Sequence, residues 1–293
     1  MSLRPDWLSF RRFAGFTTGM TLALFTIGVY TAATGSGLAC QAQWPLCSNQ
    51  LVPTLTINPD FIEWFHRVWA MLTGFLILGT AAWSWRLGEP RIRRPATLAV
   101  LVLPLQIGIG AVTVTAGGLF PGGYTVSTHA LHLVVALFIF TFLGLATFRA
   151  GFAGRRSGSP IRRTRLALFA ALGLLFASAV FSRAVPLLTY SPGAQAWFYG
   201  LSLAAYLALL SVVVVTLERD HVPGARRIRR TVAVAAGLLV ATLLLGRDLV
   251  YYDAAWQLVN LLALVGAIAA VAAAAWLLVR DSPPAPRGGP AGS

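Results

Sequence analysis

The sequence predicts an all-α polytopic membrane protein whose eight transmembrane helices form two pseudo-symmetric four-helix bundles. Of its 293 residues, 57% are hydrophobic and only 11% are charged, whereas a soluble domain carries roughly 25% charged residues. The hydrophobic residues are concentrated in eight runs of about 20 residues, the length that a helix needs to cross a bilayer. These runs lack the alternation of a strand, and a helix satisfies every backbone polar group in lipid. The runs lie at 13–34, 61–85, 96–116, 128–149, 166–187, 195–216, 231–247 and 254–279.

The basic residues indicate how the chain is oriented in the membrane. All 23 are arginine, and they give a formal net charge of +14. If the eight helices alternate in direction, all but Arg67, Arg183 and Arg247 lie on the same side. Because positively charged loops stay in the cytoplasm, both termini are predicted to be cytoplasmic, with the protein in the cell (plasma) membrane. Topology and attraction to the lipid bilayer account for this charge, and no nucleic-acid partner is predicted.

An arginine-rich segment in the middle of the chain divides it into two halves. Residues 1–150 are predicted to form an N-terminal four-helix half and residues 151–280 a C-terminal one. Residues 281–293, rich in proline and glycine, are predicted to be a disordered tail. The first hydrophobic run follows two arginines, but it is too long for a signal peptide and no convincing cleavage site follows it. We therefore expect an uncleaved first span.

Internal similarity indicates that the two halves are parallel repeats. The segment Ala196–Gly200 (AWFYG) occupies the place in the second half that Glu63–Arg67 (EWFHR) occupies in the first. The segment Gln257–Leu261 (QLVNL) likewise corresponds to His129–Leu133 (HALHL). The second copy therefore carries a tyrosine and an amide where the first carries histidines.

A loop of about 25 residues joins the first two predicted helices, which is long for a helix connection and indicates function. It contains the only cysteines of the chain, Cys40 and Cys47, on the predicted oxidising side of the membrane. A disulfide is chemically permitted there. The pair either staples a long loop or serves in redox chemistry or docking. A zinc site is not predicted, because two thiolates are too few ligands.

Glu63 and His66 lie three residues apart at the mouth of the second predicted helix and share one helix face. One reading is that Glu63 only supports the helix start, with Asn58 or Asp60 as the N-cap. The other is that His66 binds a metal or haem, since ionisable groups at membrane depth are costly and usually functional. Arg67 would then pair with an anionic group of the ligand.

His129 and His132 enter the fourth predicted helix on the same side of the membrane, again three residues apart. Either can supply a second ligand to an iron held between two helices. We favour His132, with His129 as a neighbouring pocket residue, although a structural role for one of them stays open. On the third helix, Gly108 and Gly110 permit either close helix packing or space for a flat ligand. We favour close packing.

The run from Gly35 to Cys47 and the segments Glu63–Arg67 and Ala130–Leu133 together resemble haem A synthase, a family of cytochrome oxidase assembly factors. The layout of eight helices in two repeats resembles that family as well. The likeness covers essentially the whole chain, while the specific motifs are confined to the first half.

The resemblance implies an oxidoreductase that converts the C8 methyl of haem O to the formyl group of haem A, through an alcohol. It implies that His66 and His132 hold the iron of the substrate haem, with Arg67 and His129 as further haem-binding residues. Glu63 would be the catalytic residue, which stabilises a cationic intermediate or moves protons.

The resemblance also implies a disulfide between Cys40 and Cys47, used in substrate handling or electron transfer. The implied partners are the substrate haem O, haem O synthase and subunits of cytochrome oxidase. Homo-oligomerisation stays open.

The second half departs from the family pattern. A typical bacterial member carries two further histidines there and binds a haem b, whereas this chain has Tyr199 and either Asn260 or Gln257. Tyrosine with an amide replaces two imidazoles poorly, so we predict no haem b at that place. Two alternative functions follow. One is a b-type cytochrome that carries electrons, which has no use for Glu63, and the other is a non-catalytic haem-binding assembly scaffold.

Overall fold

A computed structural model of the chain describes residues 8–40, 43–115, 126–151, 159–218, 222–245 and 252–282. These residues form eight α-helices, each long and apolar enough to cross a membrane. The predicted all-α fold with eight spans is therefore confirmed. In chain order the helices are α1 (Phe10–Ala33), α2 (Pro59–Leu87), α3 (Pro90–Thr115), α4 (Val126–Ala150), α5 (Pro160–Val180), α6 (Pro192–Glu218), α7 (Ala225–Leu245) and α8 (Ala254–Asp281).

Polar side chains determine where several helices begin. Before α2, the Oδ1 of Asn58 accepts a hydrogen bond of 2.9 Å from the backbone N–H of Phe61. Such a cap satisfies an N–H group for which the helix itself has no acceptor. Three other helices, α1, α5 and α8, have the same kind of cap, from Ser9, Ser159 and Asp253. Of the two caps considered for α2, the structure selects Asn58 over Asp60.

Helix α5 lies closer to the N-terminus than the predicted 166–187, because it extends from Pro160 to Val180. Proline suits the first position of a helix, where its missing N–H is not needed. At the other end the helix closes with a tighter turn, in which the backbone N–H of the C-cap Phe181 donates to the carbonyl oxygen of Ser178 at 3.0 Å. Helix α7 also begins earlier than the predicted residue 231, directly after Gly224, whose φ is +65°.

Each half of the chain is a ring of four neighbouring helices. In the first half α1 contacts α2, α2 contacts α3, α3 contacts α4, and α4 returns to α1. In the second half α5 to α8 have the same order of neighbours, with α8 packed against α5. This shared order supports the predicted repeat. The division into 1–150 and 151–280 stays a prediction, and residues 283–293 of the predicted tail lie outside the described residues.

Helix α6 joins the two rings, because it packs against both α1 and α4. Small residues allow the close approach. A Cβ at Gly144 of α4 would lie 2.8 Å from a leucine methyl of α6, and one at Gly200 of α6 would lie 3.0 Å from the Oγ1 of Thr26 on α1. The hydroxyl oxygens of Thr141 on α4 and Tyr206 on α6 are 2.8 Å apart. Close packing and a hydroxyl pair therefore hold the rings together, as is usual between membrane helices.

Ion pairs join α6 to α3 and α4 at the arginine-rich end of these helices. The Oε2 of Glu218, the last residue of α6, lies 2.6 Å from the Nη1 of Arg91 on α3. Its Oε1 lies 3.5 Å from the Nε of Arg149 on α4. One carboxylate of the second ring thus contacts two helices of the first.

Replacing Gly144 with leucine is expected to weaken the junction between the rings, since the added side chain would overlap α6. Overpacking of this kind costs about 1–3 kcal/mol, so we expect a lower midpoint of thermal unfolding for the purified protein in detergent. The matched control is Gly173→Leu on α5, where an added Cβ meets nothing within 4 Å. Equal losses of stability in the two variants would contradict the proposed contact.

Candidate functional site

The loop between α1 and α2 (residues 34–58) contains a disulfide and lies against the start of α2. Cys40 and Cys47 are bonded, with their Cα atoms 4.3 Å apart. Their sulfur atoms lie 3.6 and 3.5 Å from the carbonyl oxygen of Asp60 in the first turn of α2. The indole N–H of Trp64 donates to the carbonyl oxygen of Leu51, 3.0 Å away. The loop is thus attached to the helix that carries the predicted site residues.

Glu63 links this loop to α2 from inside the protein. Its side chain is only 2% exposed. Its Oε2 accepts a hydrogen bond of 2.6 Å from the backbone N–H of Cys40, and its Oε1 forms an ion pair with the guanidinium of Arg67. Arg67 in turn donates from Nη1 to the carbonyl oxygen of Gln43 at 2.5 Å. The carboxylate is therefore fully engaged inside the protein, and it does not cap α2.

His66 lies one turn beyond Glu63 and faces α1. A Cβ placed on Gly28 of α1 would be 3.0 Å from the Nε2 of His66, closer than such atoms normally approach. The imidazole can occupy this position only because residue 28 has no side chain. Gly28 therefore shapes the site, although its position inside an apolar helix gives no signal of this in the sequence.

His132 lies on α4 between α3 and the rest of the first ring. A Cβ on Gly110 of α3 would be 3.2 Å from its Cε1. The side-chain Nε2 of Gln106, one turn earlier on α3, lies 3.3 Å from the Nδ1 and 3.0 Å from the Nε2 of His132. The expected role of Gly110 in close helix packing is thus corrected, because the group that it accommodates is the imidazole of His132.

The imidazoles of His66 and His132 are close enough to interact electrostatically. The first ring thus brings together two of the predicted ligands, which come from helices that are not consecutive in the chain. His129 lies one turn before His132 on α4 and is half-buried. Among the described residues, no group of three or more His, Cys, Asp or Glu side chains converges on a point.

This arrangement fits a haem better than a bare metal ion. A haem iron needs only two axial ligands from the protein, and imidazole is its common ligand. A bare ion such as zinc takes three or four protein ligands. Gly28 and Gly110 leave the room that the two imidazoles occupy, and each imidazole comes from a different helix, α2 or α4. Arg67 and Glu63 also provide a cation and a carboxylate close to His66 on α2.

The corresponding positions of the second ring are filled differently. Tyr199 of α6 is fully buried, and its hydroxyl donates to the carbonyl oxygen of Leu243 at 2.6 Å. The amide of Asn260 on α8 donates to the hydroxyl of Tyr252 at 3.3 Å. The guanidinium of Arg183 stacks on the ring of Tyr252, with Cζ 4.1 Å from its centroid. The tyrosine that stands in place of His66 is thus committed to a backbone contact.

A known protein family matches the part of the chain that contains the first ring. Residues 11–185 match the family model COX15-CtaA, described as cytochrome oxidase assembly protein. This segment contains α1 to α4 except Phe10, and therefore every residue of the candidate site.

Curated relatives match over shorter stretches. The chain is 34% identical over 133 residues to the heme A synthase of Bacillus licheniformis, covering 45% of this chain and 42% of that protein. It is 30% identical over 166 residues to the heme A synthase of Bacillus pumilus, covering 54% and 52%. It is 35% identical over 125 residues to a protoheme IX farnesyltransferase of Halobacterium salinarum, covering 42% and 26%.

The alignments thus span between a quarter and about half of the length of these relatives. The family model matches more than half of the present chain, and the match includes the loop, Glu63 and both histidines. The chain therefore belongs to the COX15-CtaA family of cytochrome oxidase assembly proteins.

Proposed function

We propose that this protein is a haem A synthase, which oxidises the C8 methyl group of haem O to the formyl group of haem A through an alcohol. The observation that carries the proposal is the electrostatic interaction of His66 on α2 with His132 on α4 inside the first ring. The buried Glu63 lies one turn from His66 on the same helix. The same ring is the part of the chain that matches the family model. Relatives named heme A synthase are 30–34% identical to the chain over 133 and 166 residues.

The first ring would bind the substrate between its helices. His66 from α2 and His132 from α4 are the proposed axial ligands of the substrate iron, with His129 in the surrounding pocket. Arg67 lies one turn from Glu63 at the mouth of the ring, where a cation suits the propionates of a haem. Apolar side chains of the four helices would exclude water and orient the macrocycle.

Glu63 is the proposed catalytic residue. The substrate iron supplies the oxidising chemistry when it is bound. Converting the intermediate alcohol to the formyl group passes two electrons to an external electron acceptor and releases two protons, so a group beside the substrate must handle protons. Glu63 lies one turn from His66 on the same helix and is linked by Arg67 and the Cys40 amide to the loop above it. One turn from an iron ligand, its carboxylate would lie near the edge of the haem. There it would accept a proton or stabilise positive charge.

Orientation and surroundings follow from the charge pattern. We infer that the protein lies in the plasma membrane with both termini in the cytoplasm, which places the disulfide loop on the oxidising side. The disulfide of this loop would then take part in substrate handling or electron transfer. The family description supports cytochrome oxidase as the destination of the product. The alignment with a protoheme IX farnesyltransferase supports haem O synthase as a neighbouring partner.

The second ring is proposed to carry no haem b at Tyr199 and Asn260. The hydroxyl of Tyr199 donates to a backbone carbonyl, which supports a packing role. This difference from the family pattern favours one alternative function, a haem-binding assembly scaffold without catalysis. A b-type cytochrome that only carries electrons is the other alternative, and a buried glutamate one turn from an iron ligand argues against it.

Expression of the full chain in a membrane that contains a haem O source should yield haem A or its alcohol precursor bound to the purified protein. Chromatography and mass spectrometry of the extracted haem identify the product. Haem b alone would favour the electron carrier, and haem O that is bound but never oxidised would favour the scaffold.

We expect His66→Ala and His132→Ala to lose most of the bound haem, whereas His129→Ala retains it.

Replacing Glu63 with glutamine should stall the oxidation while leaving haem O bound. Glutamine keeps an oxygen that can accept from Cys40 but cannot take up a proton, and loss of a positioned acid–base group typically lowers a rate about 10²–10⁴-fold. The measurement is the ratio of haem A to haem O in the purified protein. Glu89→Gln, which removes an exposed carboxylate between α2 and α3, is the control. Unchanged haem A production by the Glu63 variant would refute the proton-handling role.

A further inference from the structure

Gln106 is a polar side chain of α3 that takes no part in the proposed reaction. It is the only amide residue in this helix, and apolar residues surround it in the sequence. An amide inside the membrane is costly unless it is hydrogen-bonded. Its position therefore calls for a specific partner.

The partner of Gln106 is His132. The amide Nε2 of Gln106 lies 3.3 Å from one ring nitrogen of His132 and 3.0 Å from the other. The amide oxygen, Oε1, is buried and has no hydrogen-bond partner in the part of the chain that the structure describes. One end of the amide is thus engaged by the histidine, while the other end is left unsatisfied.

The two ends of this amide have opposite consequences for iron binding. An amide N–H donates to the lone pair of a ring nitrogen, and a lone pair used in this way is not available to iron. A half-turn about the terminal torsion, which is a soft one, exchanges the amide nitrogen and oxygen. Oε1 then accepts the N–H of one ring nitrogen, and the other ring nitrogen presents its lone pair. The half-turn gives the amide oxygen a partner, and the amide nitrogen takes the place that the oxygen leaves.

We propose that Gln106 is a positioning residue for His132, which fixes the ring tautomer and orientation that present one nitrogen to the substrate iron. The inference rests on the proposed function in one respect, that the group held by His66 and His132 is a haem. A metal-bound histidine usually donates its second N–H to an acceptor, and that acceptor tunes the ligand. Gln106 supplies this acceptor from α3.

Helix α3 would then control His132 from two neighbouring positions. Gly110 leaves the space that the ring occupies, and Gln106, one turn away, holds its edge. The helix contributes no iron ligand itself. Its part in the site is the placement of a ligand carried by α4.

A purely structural role makes a different prediction. If Gln106 only joins α3 to α4, its replacement lowers the stability of the protein but leaves the properties of bound iron unchanged. A positioning role changes the iron itself, since the acceptor determines how basic the imidazole is. The reduction potential and the electron paramagnetic resonance spectrum of the bound haem report on this property.

The test compares Gln106→Leu and Gln106→Glu with the unaltered full chain in lipid nanodiscs, with haem b (iron protoporphyrin IX) as the probe. Thr113→Val on the same helix is the matched control, because the Thr113 hydroxyl donates to the carbonyl of Ile109 in its own helix, at 2.7 Å. Affinity is measured by titration, potential by redox titration, and folding by thermal unfolding without haem.

We expect Gln106→Leu to lower haem affinity about 10- to 100-fold and to raise the reduction potential. Gln106→Glu, an acceptor with negative charge, should lower the potential below that of the unaltered chain. Thr113→Val should leave both quantities unchanged. If one Gln106 variant fails to fold, the other still gives a direction of the potential shift.

Two outcomes would overturn the inference in distinguishable ways. If haem binds with two imidazole ligands and both Gln106 variants match the unaltered chain in potential and spectrum, Gln106 has no positioning role and the proposed function stands. If the unaltered chain binds haem no better than His66→Ala and His132→Ala variants, the haem site itself is wrong, and the inference falls with it.

Discussion

The buried carboxylate of Glu63 holds the disulfide loop, Arg67 and the start of α2 in one arrangement. It accepts from the Cys40 amide and pairs with Arg67, which reaches the carbonyl of Gln43. A buried charge that loses its partner costs about 3–5 kcal/mol, so these groups cannot separate cheaply. His66, one turn further along the same helix, therefore has a fixed relation to the loop and to the glycine of α1 against which it packs.

Much of this architecture could be predicted from the sequence. The eight spans follow from apolar runs that only helices can carry through lipid. The errors lie at helix ends, as for α5, whose start is determined by Ser159 and Pro160 rather than by hydropathy. Glu63, His66 and His132 were predicted as site residues because ionisable side chains are rare at membrane depth, and their roles stay a prediction. The contact between Glu63 and the Cys40 amide could not be predicted, because a loop that folds back on a helix leaves no periodic pattern in the sequence.

Gly28, Gly110 and Gln106 show what residue type alone does not reveal. A glycine in a membrane helix usually serves close packing, and Gly28 and Gly110 lie in helices where that is the natural reading. Their actual neighbours are imidazole rings of other helices. Gln106 was likewise one polar residue without a motif around it. Its meaning depends on which residue of α4 lies opposite, and this is decided by how two helices pack rather than by spacing along either one.

The core around Tyr199 belongs to both rings, since it includes Phe25 of α1, Phe140 of α4 and Phe198 of α6. Separating the rings would cost little free energy at these apolar faces, because lipid tails solvate them about as well as protein does. Thr141 would still bond the carbonyl of Leu137 in its own helix. The hydroxyl of Tyr206 would be stranded in hydrocarbon. A four-helix protein descended from the second half alone would thus have to replace Tyr206 or give its hydroxyl a new hydrogen-bond partner.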